Sequence, residues 1–406
     1  MSNAETNPET TPTNGANASP IPSSPFYSHV PVPGKEYGMV ANTLIPTGTT
    51  LITEPSLITL PADLIYDDYN AAVAAVEAQF IQLSSEYQTQ VLSLYHSPVF
   101  HEGNHLLGIF KTNAVTQDGS SEGREDYAIL LNGFSRFNHA CSPNCEGSWM
   151  PASKTHVLRT TRDVQEGEEL TVAYTDVFQT TGHRREALMG SHGFVCMCSV
   201  CGLDIVERQE RDELLRKLKR MRDLSEHLLG ENLDKEWEKD GILLVLRRED
   251  ELLKQLCLTG SFEAGPYGIG ASIKMNSDPL RCFAFQSITL EILQRCHGED
   301  HPDTIRMKER VVESRSLLMD EQLENIPTDP VAFSDWLWFV PDGKGTVMIK
   351  EMIEANEKIG EDDDNDSRKG NWDGEDDGAL SPFNSEPDRE FEDSVGNEIA
   401  GDHSDF

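Results

Sequence analysis

Hydrophobic and polar positions follow strand-like, then helical, then again strand-like spacing along the first half of the chain. In residues 37–60, short apolar runs such as "GMVAN" and "TTLITEPSLITL" are separated by "IPTG", whose Pro46 and Gly48 indicate a turn. This pattern predicts short strands in a hairpin. Over residues 62–97 the apolar period becomes helical, which predicts a helical insertion after the hairpin. Strand-like patterning returns in residues 156–177, in "HVLRTTRDV" and "EELTVAYTDV" around the turn "QEGE".

The half of the chain after Cys201 is helical in pattern. One apolar run at helical spacing stops at Gly230, a common helix terminator, and basic residues between its members are interpreted as the solvated face of that helix rather than a nucleic-acid site. Further stretches predict an array of helical hairpins, on which the aromatic "VAFSDWLWFVP" is expected to pack as a helix. The apolar run is Leu214, Leu218, Met221, Leu224 and Leu228; the basic residues are Arg216, Lys217, Lys219, Arg220 and Arg222; the other stretches are "EDELLKQL", "FAFQSITLEILQRC" and "PDTIRMKERVVESRSLL".

Both ends of the chain have the composition of disordered segments. Residues 1–24 are rich in Asn, Thr, Pro, Ser and Ala, which bury too little surface to offset their ordering entropy. From Glu361 to Phe406, seventeen Asp and Glu against three Lys and Arg leave a net charge of -14. We therefore expect a disordered N-terminus and a disordered acidic C-terminal tail.

The net charge of the whole chain limits which classes of molecule it is expected to bind. Its 406 residues carry a net charge of -36, which argues against tight nucleic-acid binding and favours basic proteins. The alternative is that the acidic charge keeps the protein soluble and has no role in binding a partner. The sequence has neither a run of about 18 apolar residues nor a signal-peptide pattern, so we expect no membrane span. We expect an intracellular monomer, in the nucleus, the cytoplasm or both.

The cysteines cluster in a way that suggests zinc. "HGFVCMCSVC" places Cys196, Cys198 and Cys201 within six residues, too close to form disulfides comfortably, whereas a tetrahedral Zn²⁺ accepts several ligands from one short loop. A fourth thiolate is then needed, and both Cys141 and Cys145 are candidates. The alternative is a cysteine-rich loop without metal. Three other cysteines, Cys257, Cys282 and Cys296, are placed in helices as small hydrophobic residues.

Four motifs in order resemble the SET-domain protein lysine methyltransferases. They are "KEYGMVANTLIPTGTTLITEPSLI", which ends near the acidic Glu54, then "RFNHACSPNC", "EGEELTVAYTD" and "HGFVCMCSVC", the last similar to the post-SET cysteine motif. Together they span about half the chain. The helical second half resembles the SMYD group, which joins a SET domain to a MYND zinc finger. The insertion here contains no cysteine, so the MYND finger is absent.

The resemblance implies an α+β fold with several parts. Small twisted β-sheets form a SET domain in which the segment around Asn138 threads under a neighbouring loop, a pseudoknot. An all-α C-terminal domain of TPR-like helical hairpins follows the post-SET zinc loop. The expected boundaries are residues 1–24 for the disordered N-terminus, 25–180 for the SET domain with its insertion at about 61–126, 181–203 for the zinc segment, 204–350 for the helical domain and 351–406 for the tail.

The resemblance also implies roles for individual residues. The cofactor S-adenosylmethionine is expected to bind against the backbone of residues 36–38 and against several side chains, with Phe194 covering its adenine. Cys141 matches the fourth zinc ligand, which leaves Cys145 spare. The expected cofactor contacts are Glu36, Tyr37, Gly38, Asn113, Asn138, His139 and Phe194; the expected zinc ligands are Cys141, Cys196, Cys198 and Cys201.

Tyr174 matches the family's catalytic tyrosine. Methyl transfer to an amine is an in-line displacement, so the protein mainly supplies alignment. A lysine with a pKa of ~10.4 is unprotonated about once in a thousand at pH 7.4, a deficit of roughly 4 kcal/mol. An apolar channel and a nearby sulfonium recover part of it. Tyr174 is expected to hold the amine through its hydroxyl, with Val172 lining the channel; without the motifs, a core tyrosine would be the preferred reading.

Two positions depart from the family pattern. Glu36 stands where the family usually has Gly, which allows close approach of the backbone to the cofactor. Ala140 replaces the Ser of the Asn-His-Ser-Cys motif, whose hydroxyl has no expected catalytic part. His297 and His301 in "RCHGEDHP" suggest a metal, but we interpret that segment as a polar connector between helices.

Three hypotheses follow from the sequence. The first is a protein-lysine N-methyltransferase acting on a basic protein such as a histone or a ribosomal protein, with zinc and S-adenosylmethionine as cofactors and no direct nucleic-acid contact. The second is a SET-derived interaction scaffold, in which Glu36 marks a decayed cofactor site. The third is a methyltransferase for another nucleophile.

Overall fold

The computed structural model describes residues 24–101, 103–117, 126–230, 236–341 and 343–358. The expected disordered N-terminus up to residue 23 and the acidic tail from residue 359 lie outside these residues. The strands are β1 (Tyr27–Pro31), β2 (Tyr37–Ala41), β3 (Thr50–Pro55), β4 (Ile58–Pro61), β5 (Val115–Gln117), β6 (Tyr127–Leu130), β7 (Asn138–His139), β8 (Cys145–Met150), β9 (Thr155–Thr160) and β10 (Glu169–Val172). No helix of the described part is long and apolar enough to cross a membrane.

The strands form three small sheets, ordered β1-β2-β10-β7, β3-β9-β8 and β4-β6-β5. The predicted hairpin over residues 37–60 is wrong, because β2 pairs with β1 and β10 while β3 pairs with β9. The "IPTG" turn is present, with Gly48 at φ 76°, but it carries the chain from one sheet to another. Local patterning identified the strands and the turn, whereas β2 and β3 each pair with a strand at least 100 positions away, β10 and β9 respectively.

The insertion between β4 and β6 is helical, as predicted. Its helices are α1 (Leu64–Asp67), α2 (Tyr69–Phe80), α3 (Ser85–Leu92) and α4 (His105–Asn113). Leu60, Val76, Phe110 and Leu130 share one buried cluster, which packs these helices on the β4-β6-β5 sheet. Strand β5 was not predicted; it pairs with β6 immediately after α4 ends, so the insertion returns to the sheet through a short strand.

The described part of the chain after β10 is all helical, and the helical pattern predicted after Cys201 is confirmed there. It comprises α5 (Thr181–His192), α6 (Ile205–Gly230), α7 (Glu236–Gln255), α8 (Ala264–Lys274), α9 (Pro279–Cys296), α10 (Pro302–Ser316), α11 (Asp320–Leu323), α12 (Pro330–Leu337) and α13 (Lys344–Lys358). The aromatic segment around α12 packs on the array, with buried Trp338 edge-on to Phe285 at 4.9 Å. Helix α13 continues beyond residue 350, where the tail is expected to begin.

Two details of the helical half differ from the sequence interpretation. Cys257 does not pack inside a helix: it follows α7, is exposed and has φ 49°. Cys282 and Cys296 are buried in α9, as expected. The basic residues of α6 are only partly a solvated face, because Arg222 bonds Glu249 at 2.8 Å and lies over the ring of Phe178 at 3.8 Å.

Polar contacts tie the helical half to the β8–β9 sheet. The carboxylate of Glu146 accepts from the backbone N–H of Ser261 at 2.7 Å and from its hydroxyl at 2.5 Å. Ser142 donates to the carbonyl of Cys257 at 3.1 Å. The partly buried carboxylate is therefore satisfied by a loop of the helical half.

Candidate active site and zinc centre

The segment that leads into Asn138 is anchored by Glu54. Its carboxylate accepts backbone N–H bonds from Asn132 at 3.1 Å, from Gly133 at 2.9 Å and from Phe134 at 2.7 Å. Burial raises the pKa of Glu54, while these donors and the nearby Arg136 guanidinium lower it. Three N–H groups on one carboxylate hold the turn in place, so β7 starts from a fixed position.

Strand β7 then places Asn138 beside β10. The two strands are parallel, with Asn138 opposite Thr171 and His139 opposite Val172. The Asn138 amide donates to the carbonyl of Tyr37 and to Oε1 of Glu169, both at 2.7 Å. Residues of three strands of one sheet therefore meet at this amide.

Glu169 also accepts from Lys35 at 2.6 Å, through its other oxygen. Glu169 is not among the site residues predicted from the sequence. It stands within "EGEELTVAYTD", but only the pairing of β10 with β2 and β7 brings it to Lys35 and Asn138.

The expected cofactor-contacting backbone at residues 36–38 lies at the start of β2. Gly38 leaves no space for a side chain, since a Cβ there would lie 2.5 Å from Oε1 of Glu169 and 2.8 Å from Nδ2 of Asn138. The side chain of Glu36 is exposed. Tyr37 is 52% exposed and stacks on His29 with ring centroids 4.9 Å apart. The residue that departs from the family pattern thus faces outward, while Gly38, two residues further on, has no room for a Cβ.

Tyr174 is held from three sides. Its hydroxyl donates to the carbonyl of Phe137 at 2.6 Å, and its backbone N–H donates to Nδ1 of His139 at 3.0 Å. The ring of His192 stacks on its ring at 4.8 Å. Burial, with a contribution from Glu169, raises the pKa of Tyr174, so the hydroxyl stays protonated at neutral pH. A fixed, neutral hydroxyl is suited to positioning a reactant rather than to taking its proton.

His139 links this tyrosine to the cysteines. Because Nδ1 accepts from Tyr174, the ring proton sits on Nε2, which faces Sγ of Cys141 at 3.3 Å. Burial lowers the pKa of His139 to about 4. Both ring nitrogens are therefore occupied within the protein, so any cofactor contact of His139 falls to its backbone.

Four cysteines converge beside this histidine. Sγ of Cys141 lies 3.9 Å from that of Cys196 and 3.4 Å from that of Cys201, and the Cys198 sulfur accepts from the Cys141 N–H at 3.4 Å. All four sulfur atoms lie within 4.8 Å of one another. Disulfides need about 2.05 Å, whereas a tetrahedral zinc with ~2.3 Å bonds separates its sulfurs by about 3.8 Å. The donor set and its spacing fit zinc.

The structure also decides between the two candidates for the fourth ligand. Cys141 joins the cluster, whereas Cys145 begins β8, lies in the core of the sheets and points its thiol at Oδ1 of Asn144 at 3.4 Å. Of these two cysteines, only Cys141 is close enough to bind the same metal as the three cysteines of the loop that follows α5.

Arginines at the zinc centre offset its negative charge. Four thiolates on Zn²⁺ carry a net charge of about −2. Buried Arg184 approaches Sγ of Cys201 at 4.0 Å. Arg185 donates to the carbonyls of Cys196 at 3.3 Å and Cys201 at 2.9 Å. Both arginines lie in α5, ahead of the cysteine motif, and neither is among the residues predicted from the sequence.

The remaining predicted contacts lie around the same region. Asn113 ends α4 and donates to the carbonyls of Tyr95 at 2.7 Å and Ile109 at 2.8 Å. Phe194 packs against the cysteine cluster. Its ring is edge-on to His192 at 6.2 Å. His192, which was not predicted as a site residue, therefore lies between Tyr174 and Phe194.

A second group, His297, His301 and Asp303, has ligand atoms within 4.8 Å of one another. His301 accepts the Asp303 N–H at 3.2 Å through Nδ1 and hydrogen bonds to the backbone of Trp149. Asp303 is paired with Arg306. These bonds occupy the ring of His301 and one oxygen of Asp303, and the group lies at the connector between α9 and α10.

Comparison with known proteins agrees with this geometry. Residues 36–175 match the family model described as the SET domain. The chain contains a SET domain. Its matched residues run from Glu36 to just past Tyr174, and they include Asn138, His139 and Cys141. The other three cysteines of the zinc centre follow the SET domain.

Two curated relatives extend the comparison. The chain is 31% identical over 192 residues to histone-lysine N-methyltransferase set5 of Schizosaccharomyces pombe, covering 47% of this chain and 55% of that protein. It is 33% identical over 116 residues to human histone-lysine N-methyltransferase SMYD3, covering 27% and 26%. The chain thus spans about half the length of one relative and a quarter of the other.

A solved structure of the SET domain of LSMT bound to lysine and AdoHcy aligns with 83% of this chain and 87% of that one. Its sequence identity is 12% and its TM-score is 0.27. At that score the likeness supports no conclusion about this chain.

Proposed function

We propose that this chain is an S-adenosylmethionine-dependent protein-lysine N-methyltransferase. The observation that carries the proposal is that His139 links Tyr174 of the SET domain to a four-cysteine centre, next to the Asn138 amide of the same strand. The names of its relatives, histone-lysine N-methyltransferases, support the same reaction class.

The residues fit the cofactor in two respects. The Asn138 amide has used both N–H groups on protein acceptors, which leaves its oxygen to accept from a ligand. The absence of a Cβ at Gly38 lets Glu169 and Asn138 pack against the β2 backbone, which keeps the Asn138 amide beside the backbone expected to contact the cofactor. When bound, S-adenosylmethionine supplies a methyl group on a sulfonium sulfur. Residues 36–38, Asn113, Asn138, the His139 backbone and Phe194 would hold it.

Tyr174 would align the acceptor amine. Its hydroxyl hydrogen is held by the Phe137 carbonyl and its ring is covered by His192. The position of the hydroxyl oxygen and the orientation of its lone pairs are therefore fixed. Alignment of this kind contributes to rate without proton transfer to the protein. Val172, buried at the end of β10, would line the channel.

The substrate we propose is a lysine in a basic protein, a histone or a ribosomal protein. The net charge of -36 attracts such partners at long range. The two relatives are named for histone lysines, which is consistent with a basic target.

The test combines binding and transfer on the full chain loaded with zinc. S-adenosylmethionine is titrated by calorimetry, and labelled methyl transfer is measured on histones and ribosomal proteins, with Tyr174→Phe as the variant. We expect micromolar cofactor binding in both proteins and transfer reduced about 100-fold or more by Tyr174→Phe. Absence of binding would favour the scaffold hypothesis. Binding without transfer to any basic protein would favour another nucleophile.

A further inference from the structure

The orientation of the Asn138 amide is set by its two partners. Nδ2 lies 2.7 Å from the Tyr37 carbonyl and 2.7 Å from Oε1 of Glu169, and both partners accept hydrogen bonds only. A flipped amide would place Oδ1 against two acceptors. The two acceptors therefore fix which end of the Asn138 amide carries the nitrogen. No donor among the described residues reaches Oδ1.

Glu169 is the partner that holds the amide through a charge. A carboxylate acceptor makes a stronger hydrogen bond than a carbonyl. Its second oxygen is held by Lys35 at 2.6 Å, so the carboxylate is fixed at both ends. The side chain of Glu169 is only 19% exposed, which limits its exchange of partners with water.

The backbone beneath this group leaves little room for movement. A Cβ at Gly38 would lie within 2.9 Å of Glu169, Asn138 and Val32. Glu169 and Asn138 thus rest on the glycine backbone that is expected to face the cofactor. A shift of the carboxylate would move the amide and open this packing.

We propose that Glu169 is a positioning residue for cofactor binding. It fixes the Asn138 amide with Oδ1 directed at a hydrogen-bond donor of S-adenosylmethionine, and Lys35 holds the carboxylate in place. The inference rests on the proposed function, and it adds a role for a residue that does not itself touch the cofactor.

The first test measures the dissociation constant for S-adenosylmethionine by calorimetry on the zinc-loaded chain. Glu169→Ala removes the acceptor and is expected to weaken binding about tenfold or more. The matched control is Glu168→Ala, which removes the neighbouring carboxylate and its 2.5 Å pair with Arg162 without touching Asn138. We expect the control to bind within about threefold of wild type. Melting temperature and zinc content are recorded for each variant, so that loss of fold is separated from loss of position.

The second test asks whether an acceptor alone is sufficient. Glu169→Gln offers one oxygen, for which Lys35 and Asn138 compete, because its amide nitrogen cannot accept. In a Lys35→Met background that competition is gone. We therefore expect Glu169→Gln to weaken binding less in the Lys35→Met background than in wild type, a coupling that a merely structural role would not produce.

Three outcomes would overturn the inference. A folded, zinc-replete Glu169→Ala variant with wild-type affinity would show that Asn138 keeps its position alone. An equal loss of cofactor affinity in Glu168→Ala would show that disturbing this part of the chain, rather than losing the Asn138 partner, weakens binding. Wild-type protein that binds no S-adenosylmethionine would remove the proposed function together with this inference, whereas the other two outcomes leave the proposed function intact.

Discussion

The backbone N–H of Tyr174 donates to Nδ1 of His139 at 3.0 Å, and the opposite nitrogen of that ring faces the zinc centre. One imidazole thus spans the distance between the proposed catalytic tyrosine and a zinc ligand. Partners that hydrogen bond to metal ligands in this way orient those ligands and raise the affinity of the site.

Replacing His139 should lower both the stability of the fold around Tyr174 and the affinity of the cysteines for zinc. His139→Ala leaves a partly buried Tyr174 N–H without its acceptor, which costs about 1–3 kcal/mol in the free energy of unfolding. It also removes the contact to Cys141, and we expect zinc to be lost about tenfold more readily. Urea unfolding and zinc release to a chromogenic chelator measure the two effects. Exposed His183→Ala is the control, and equal behaviour of both variants would contradict the prediction.

The metal content should distinguish two buried cysteines. Cys141→Ser removes a cluster member and is expected to reduce zinc well below the roughly one equivalent of wild type. Cys145→Ser lies outside the cluster, so zinc should stay near wild type. Metal analysis of purified protein measures the content. Zinc loss in Cys145→Ser but not in Cys141→Ser would reverse the assignment.

Buried His156 should make stability depend on pH. Burial lowers its pKa from 6.5 to about 4, so the folded state excludes a proton that the unfolded chain binds. Its contribution is present above pH 6.5 and is lost as the pH falls toward 4. At pH 5.5 the loss is about 1.4 kcal/mol.

The measurement compares urea midpoints at pH 8 and pH 5.5 for wild type and His156→Gln. The difference between the two proteins removes the common effect of acid on the zinc thiolates. His183→Gln controls for loss of an exposed imidazole. A wild-type pH dependence that His156→Gln leaves unchanged would contradict the assignment.

Glu36 is expected to have little effect on the cofactor. Its side chain is exposed, so Glu36→Gly should leave the affinity for S-adenosylmethionine within about threefold and lower stability by about 0.5–1 kcal/mol through backbone entropy. Gly38→Ala should abolish binding, because its Cβ would collide with Glu169 and Asn138. Calorimetry measures both. A large gain in affinity on Glu36→Gly would mean that this side chain obstructs the site.

The sequence predicted which residues form the site better than it predicted the contacts between distant segments. The zinc cysteines were predicted because three of them are close along the chain, and the resemblance indicated Cys141 as the fourth. Glu54, Glu169 and His192 were not assigned roles, because each acquires its partners only through contacts between segments distant in sequence. The mistaken hairpin has the same origin: alternation identifies a strand, while its neighbour is selected by tertiary packing.

Ser142 follows a zinc ligand directly and donates to the carbonyl of Cys257, while Glu146 takes two hydrogen bonds from Ser261. The helical half is therefore attached next to the metal rather than by a free linker. Loss of zinc should disturb that attachment as well as the loop. On this basis the two halves share one cooperative unfolding transition, and a calorimetric scan of the zinc-loaded chain should give a single peak rather than two.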